Sequence, residues 1–163
     1  MDSICSFKDT KEGSICCIGT SMGGTSVLTK AYEDKRVAMV IAISTLHDVD
    51  SILNTNFKFP SSGWFVKRVM GKGKNRASFK MAAKYYLKSD LEYNENRVYL
   101  IHGKQDSIFP PDATFELNKK QSKIPEEHAL LLEDCGHGLD NQKILLLGVV
   151  LKWILNNEKM NLS

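Results

Sequence analysis

No run of the roughly 18 apolar residues that a membrane span requires occurs in this sequence, and its first fourteen residues lack the positive start and apolar stretch of a secretory signal. These absences predict a cytoplasmic chain with no membrane span. A dominant charge of one sign is missing too: 22 Lys and Arg stand against 19 Asp and Glu, a formal net charge of +3, with the signs interleaved. Nucleic acid and anionic membrane surfaces are therefore excluded as main partners. Cysteine is sparse and unpatterned. Cys5, Cys16, Cys17 and Cys135 contain no C-x-x-C pair, so free buried thiols are expected in place of a disulfide framework. Cys135 and His137 have the look of half a metal site, but no second ligand pair with zinc spacing accompanies them, and no metal is expected.

What is present is an ordinary globular composition, 42% hydrophobic and 25% charged, in 163 residues, enough for one domain over 1–163. Residues 14–19, SICCIG, form a short apolar run ending in glycine, as a strand buried on both faces of a parallel sheet would. A helix is predicted over 22–33 and a second two-face-buried strand over 37–43, VAMVIAI. After an irregular stretch with short helices, 97–101 reads as a third strand and 113–121 as a helix behind Pro110 and Pro111. A fourth strand over 129–132 and a long apolar helix over 141–157 complete the pattern. Strands alternating with helices argue an α/β fold with about four parallel strands and flanking helices.

The chemistry begins at Gly19-Thr20-Ser21-Met22-Gly23, a G-x-S-x-G match placed where a buried strand gives way to a helix. That setting puts the serine on a sharp exposed turn, and a side chain at Gly19 or Gly23 is expected to crowd it. Serine is a poor nucleophile alone. It needs a histidine base and a carboxylate to orient that base. The third strand runs into His102-Gly103-Lys104-Gln105-Asp106 and the fourth into Glu133-Asp134-Cys135-Gly136-His137-Gly138, so each loop offers one partner. The order Ser21, Asp106, His137 is that of the α/β-hydrolases, and differs from the orders of chymotrypsin and subtilisin.

Through GTSMGG, VYLIHGKQDSIFPP and LLEDCGHG the chain resembles the C-terminal part of an α/β-hydrolase, of the esterase/lipase or prolyl-oligopeptidase-like kind. The resemblance implies that Asp106 orients His137, that His137 takes the proton of Ser21, and that the Met22 backbone N–H donates to the oxyanion. It implies a serine hydrolase of carboxylic esters or thioesters, working on a small acyl substrate through an acyl-serine and needing no cofactor. A serine peptidase of prolyl-oligopeptidase type is the alternative within the class. The segment 46–92 corresponds to a cap insertion, where Phe57, Phe59, Trp64 and Phe65 are expected to line an acyl pocket, with Trp64 and Phe65 as substrate-binding residues.

The resemblance also implies a truncated fold, with the strands before the elbow missing. The elbow strand would then be an exposed edge open to a partner chain or to self-association, and the isolated chain weak or inactive. A non-catalytic fragment or a subunit that completes its sheet with a partner is the alternative from another class. Three histidines are assigned no chemistry: His102 is read as structural, and His47 and His128 as surface or loop residues. The basic patch 67–76 fails the phosphate-loop pattern, since Arg68 stands where the first glycine belongs and Asn75 where Ser or Thr is required, and it reads as a solvated face.

Overall fold

In the computed structural model, residues 13–48, 51–52 and 82–157 are described. Strand β1 (Ile15–Thr20) leads into α1 (Met22–Ser26), which continues as a wider π turn over Val27–Ala31. Within that turn the Thr29 hydroxyl donates back to the carbonyls of Thr25 at 2.8 Å and Ser26 at 3.2 Å, a local competition with the regular helical ladder. Strand β2 (Val37–Ile43) follows, then two single-turn helices, α2 (Ala83–Tyr86) and α3 (Leu91–Asn94). Strand β3 (Val98–Gly103), helix α4 (Phe115–Ser122), strand β4 (Ala129–Leu132) and helix α5 (Lys143–Asn156) complete the order.

The strands form one parallel sheet in the order β1-β2-β3-β4. Every residue of β2 and β3 is buried, which explains why both read as continuous apolar runs and not as alternating ones. Alternate residues serve opposite faces. Val40, Ala42, Val98 and Leu100 pack with Leu28, Tyr32 and Phe115 on one side, and Met39, Ile41, Tyr99 and Ile101 with Val150 and Trp153 of α5 on the other. The result is a three-layer α/β arrangement, with helices on both faces of the sheet.

Two surfaces of this arrangement are bare. Nothing among the described residues pairs with the outer edge of β1, and Ile18 on that strand is 47% exposed. On α5, Trp153 is drawn toward the β4 side, where its Nε1–H donates to the Glu127 carbonyl at 3.2 Å. At about 100° per residue, Ile144, Leu147, Leu151 and Leu155 fall on the opposite flank, and all four are exposed, Ile144 by 90%. Cys16 packs against the same cluster as α5, and Ile18, two residues on, shares its face of β1.

No described helix is long and apolar enough to cross a membrane. Cys16, Cys17 and Cys135 are free thiols. Burial first, and Cys17 second, push the Cys16 thiol up to about 11.

Candidate active site

Strand β1 ends at Thr20, and the chain turns so tightly that Ser21 adopts φ 53° and ψ −122°, a conformation costly for a residue with a side chain. The turn is held from β2: Ser21 N–H donates to the Ile43 carbonyl at 2.9 Å, and the Ser21 carbonyl accepts from Thr25 N–H at 3.2 Å and from the Thr45 hydroxyl at 3.4 Å. Close packing leaves no room for a Cβ at Gly19, where one would lie 2.3 Å from the Gly23 carbonyl oxygen. The expectation for Gly23 is corrected. Nothing lies within 4 Å of a Cβ there, and the crowded second position is Gly24, where a Cβ would meet Thr45 at 2.7 Å. The reason is geometric: Gly23 faces out from the first turn of α1 and Gly24 faces in.

Across the ends of the strands, His137 Nε2 lies 3.0 Å from Ser21 Oγ and His137 Nδ1 lies 2.7 Å from Asp106 Oδ2. The three side chains singled out in the sequence are thus one hydrogen-bonded chain, although they are up to 116 residues apart. An ionised carboxylate only accepts, so His137 carries its proton on Nδ1, leaving Nε2 to accept the serine hydroxyl. Ser21 and His137 are half-buried, whereas Asp106 is buried. The Phe109 ring stands edge-on to the His137 ring, with centroids 5.0 Å apart, and limits its rotation.

Burial alone would raise the Asp106 carboxyl. Hydrogen bonds from His102, the Phe109 N–H and His137 more than offset that, and hold it below the usual carboxylate value. Its Oδ1 accepts the backbone N–H groups of Ile108 at 2.9 Å and Phe109 at 2.8 Å. Its Oδ2, besides accepting from His137, lies 3.2 Å from Nε2 of the buried His102. Sequence reasoning gave these donors no part in the site; the one visible signal was the spacing of four between His102 and Asp106.

Met22 is half exposed beside Ser21, and its backbone N–H, at the first helical position, is one of those without an intrahelical acceptor. Trp64 and Phe65, with Phe57, Phe59 and the basic patch, lie outside the described residues. His47 lies in a loop, as one of its two readings had it, but not at the surface: it is buried, and its Nδ1–H donates to Asn118 Oδ1 of α4 at 2.8 Å. His128 lies in a single turn before β4, partly buried with its ring 4.2 Å from that of Tyr99. Among the described residues no cluster of three or more His, Cys, Asp and Glu could hold a metal ion.

The model of the prolyl oligopeptidase family matches residues 3–160. The chain belongs to that family. No curated protein matches it in sequence. Solved structures similar to this member of the family include a 2,6-dihydroxy-pseudo-oxynicotine hydrolase, with TM-score 0.63, 21% identity and coverage of 93% of this chain and 43% of that one. Acetyl xylan esterase 1 from Thermoanaerobacterium sp. has TM-score 0.61 and 16% identity over 93% of this chain and 49% of its own. Acylaminoacyl peptidase from Pyrococcus horikoshii has TM-score 0.64 and 17% identity over 91% of this chain and 25% of its own. At these identities the likeness is one of fold, the α/β-hydrolase fold, and the chain spans less than half the length of each structure.

Proposed function

We propose that this chain is a serine hydrolase of carboxylic esters or thioesters, in which Ser21 is the nucleophile, His137 the general base and Asp106 the residue that orients it. The observation that carries the reading is the relay from Ser21 Oγ through His137 to Asp106, at 3.0 and 2.7 Å. Ser21 Oγ attacks the acyl carbonyl as its proton passes to His137 Nε2, and the imidazolium faces an ionised carboxylate. Negative charge on the former carbonyl oxygen is met by the Met22 N–H. His137 then returns the proton to the leaving alcohol or thiol, and water, activated by the same imidazole, releases the acid from acyl-Ser21. No step in this scheme calls for a cofactor. The family also supports a peptidase, for which the leaving group is an amine.

Labelling with a fluorophosphonate tests the assignment, since the serine oxygen displaces fluoride from phosphorus and the proton goes to His137. Covalent label is expected on Ser21 of the wild-type chain and absent from Ser21→Ala; equal labelling of both would overturn the reading.

A second reading has its own support: a subunit that completes its sheet with a partner chain. The exposed Ile18 edge of β1 favours it, and the exposed apolar stripe on α5 is a second bare surface. The two readings are compatible, since a partner on the β1 edge would adjoin the turn that carries Ser21.

A further inference from the structure

We infer that His102 is a positioning residue for the proposed relay, fixing Asp106 through an N–H from beneath the site. The inference rests on the reading of Ser21 as nucleophile, but concerns a side chain that reading does not use.

His102 sits in β3 with 1% of its surface exposed, its ring 5.8 Å from that of Phe115. Nε2 lies 2.8 Å from the Phe109 carbonyl oxygen, which can only accept, so the proton of His102 is on Nε2. The same nitrogen is 3.2 Å from Asp106 Oδ2. The N–H directed at the carbonyl thereby also lies against the carboxylate, and the oxygen it faces is the one that receives Nδ1–H of His137 at 2.7 Å.

The loop between them makes this a closed clamp. Phe109 gives its N–H to Asp106 Oδ1, its carbonyl to His102 and its ring edge to His137. Asp106 has its two oxygens met by four donors from three directions: two backbone N–H groups on Oδ1, and His102 and His137 on Oδ2. Removing the His102 donor loosens Oδ2 while the two backbone N–H groups still hold Oδ1, and leaves the Phe109 carbonyl with the Thr114 hydroxyl at 3.3 Å in place of its closest partner. Both changes displace the acceptor that holds His137 on Ser21, and neither touches the substrate.

The expected result follows from comparing a variant that keeps an N–H near Nε2, His102→Gln, with one that removes it, His102→Leu. Labelling of the full chain by a fluorophosphonate is followed for its maximal rate and its half-saturating concentration, below the melting temperature of each variant. The Leu variant should lose about ten- to a hundredfold in maximal rate, the scale found when an outer partner of an orienting histidine is removed at metal sites. Its half-saturating concentration should not change, and the Gln variant should keep a rate within about threefold of wild type. His102→Met replaces the Leu variant should the latter fail to fold.

An unchanged rate in the folded Leu or Met variant would overturn the inference, as would an equal loss in the Gln variant, which would mark the residue as packing alone. Proton NMR separates this from failure of the catalytic reading. The Nδ1–H of His137 should give a low-field resonance in wild type and His102→Gln, shifted or broadened away in His102→Leu. If Ser21 fails to label but this pattern holds, the catalytic reading falls and the positioning role stands. Its absence in wild type, or its persistence in His102→Leu, sinks the positioning role.

Discussion

Asp34 and Asp106 are both held ionised, by opposite means. Asp34 is half-buried at the surface and owes its low value, about 2, first to the Arg36 side chain, whose Nη2–H donates at 2.6 Å, and second to the Arg36 backbone N–H. Asp106 is buried, which opposes ionisation, and it is kept charged only by surrounding donors. In both, the folded value lies below the ordinary 3.8, so each contributes stability that is complete above that value and lost as pH falls through the folded one. The melting temperature should therefore drop as pH is lowered from about 4 to 2. Asp34→Asn should make that drop shallower while leaving the slope above pH 5 unchanged, as followed by circular dichroism; parallel curves across the whole range would refute the Asp34 assignment. At this scale the sequence was uneven. Ser21, Asp106 and His137 were legible as candidates because each stands in the turn or loop that follows a strand, whereas the burial of His47 was not, because Asn118, its partner, lies 71 residues away on another element.

Among the elements, the elbow between β1 and α1 separates two glycines that the sequence could not tell apart. Gly23→Ala meets no atom and replaces a helical glycine, so it should stabilise the chain by about 0.5–1 kcal/mol in denaturant melts. Gly24→Ala drives a methyl against Thr45 and should destabilise by about 1–3 kcal/mol. The opposite ranking would show the turn to be packed differently. Strands β2 and β4 were legible to the residue because each is an uninterrupted apolar run, buried on both faces in β2 and half-buried in β4. The π turn of α1 was not, since it depends on where the Thr29 hydroxyl bonds and not on apolar periodicity.

For the molecule as a whole, the order of elements was readable and the neighbours of each surface were not. An amphipathic pattern shows that α5 has a side to bury, but α5 is apolar nearly all round, and only packing reveals that Ile144, Leu147, Leu151 and Leu155 stay exposed. If the β1 edge and the α5 stripe mediate association, the apparent mass should rise with concentration in light scattering. Ile18→Lys and Leu151→Lys should each lower that rise by placing a charge on the edge or the stripe. Identical concentration dependence in wild type and both variants would remove the two surfaces from consideration.

Strand β1 has one further consequence, because it ends in the turn that presents Ser21. A body docked along its edge and a group attached to the serine are held by the same few peptide units. Where docking alters the geometry of that turn, the two events are coupled. Reciprocity then requires a reversible serine-directed ligand to tighten docking by the same factor as docking tightens the ligand, so the assembly state of this chain would be readable from the affinity of an inhibitor.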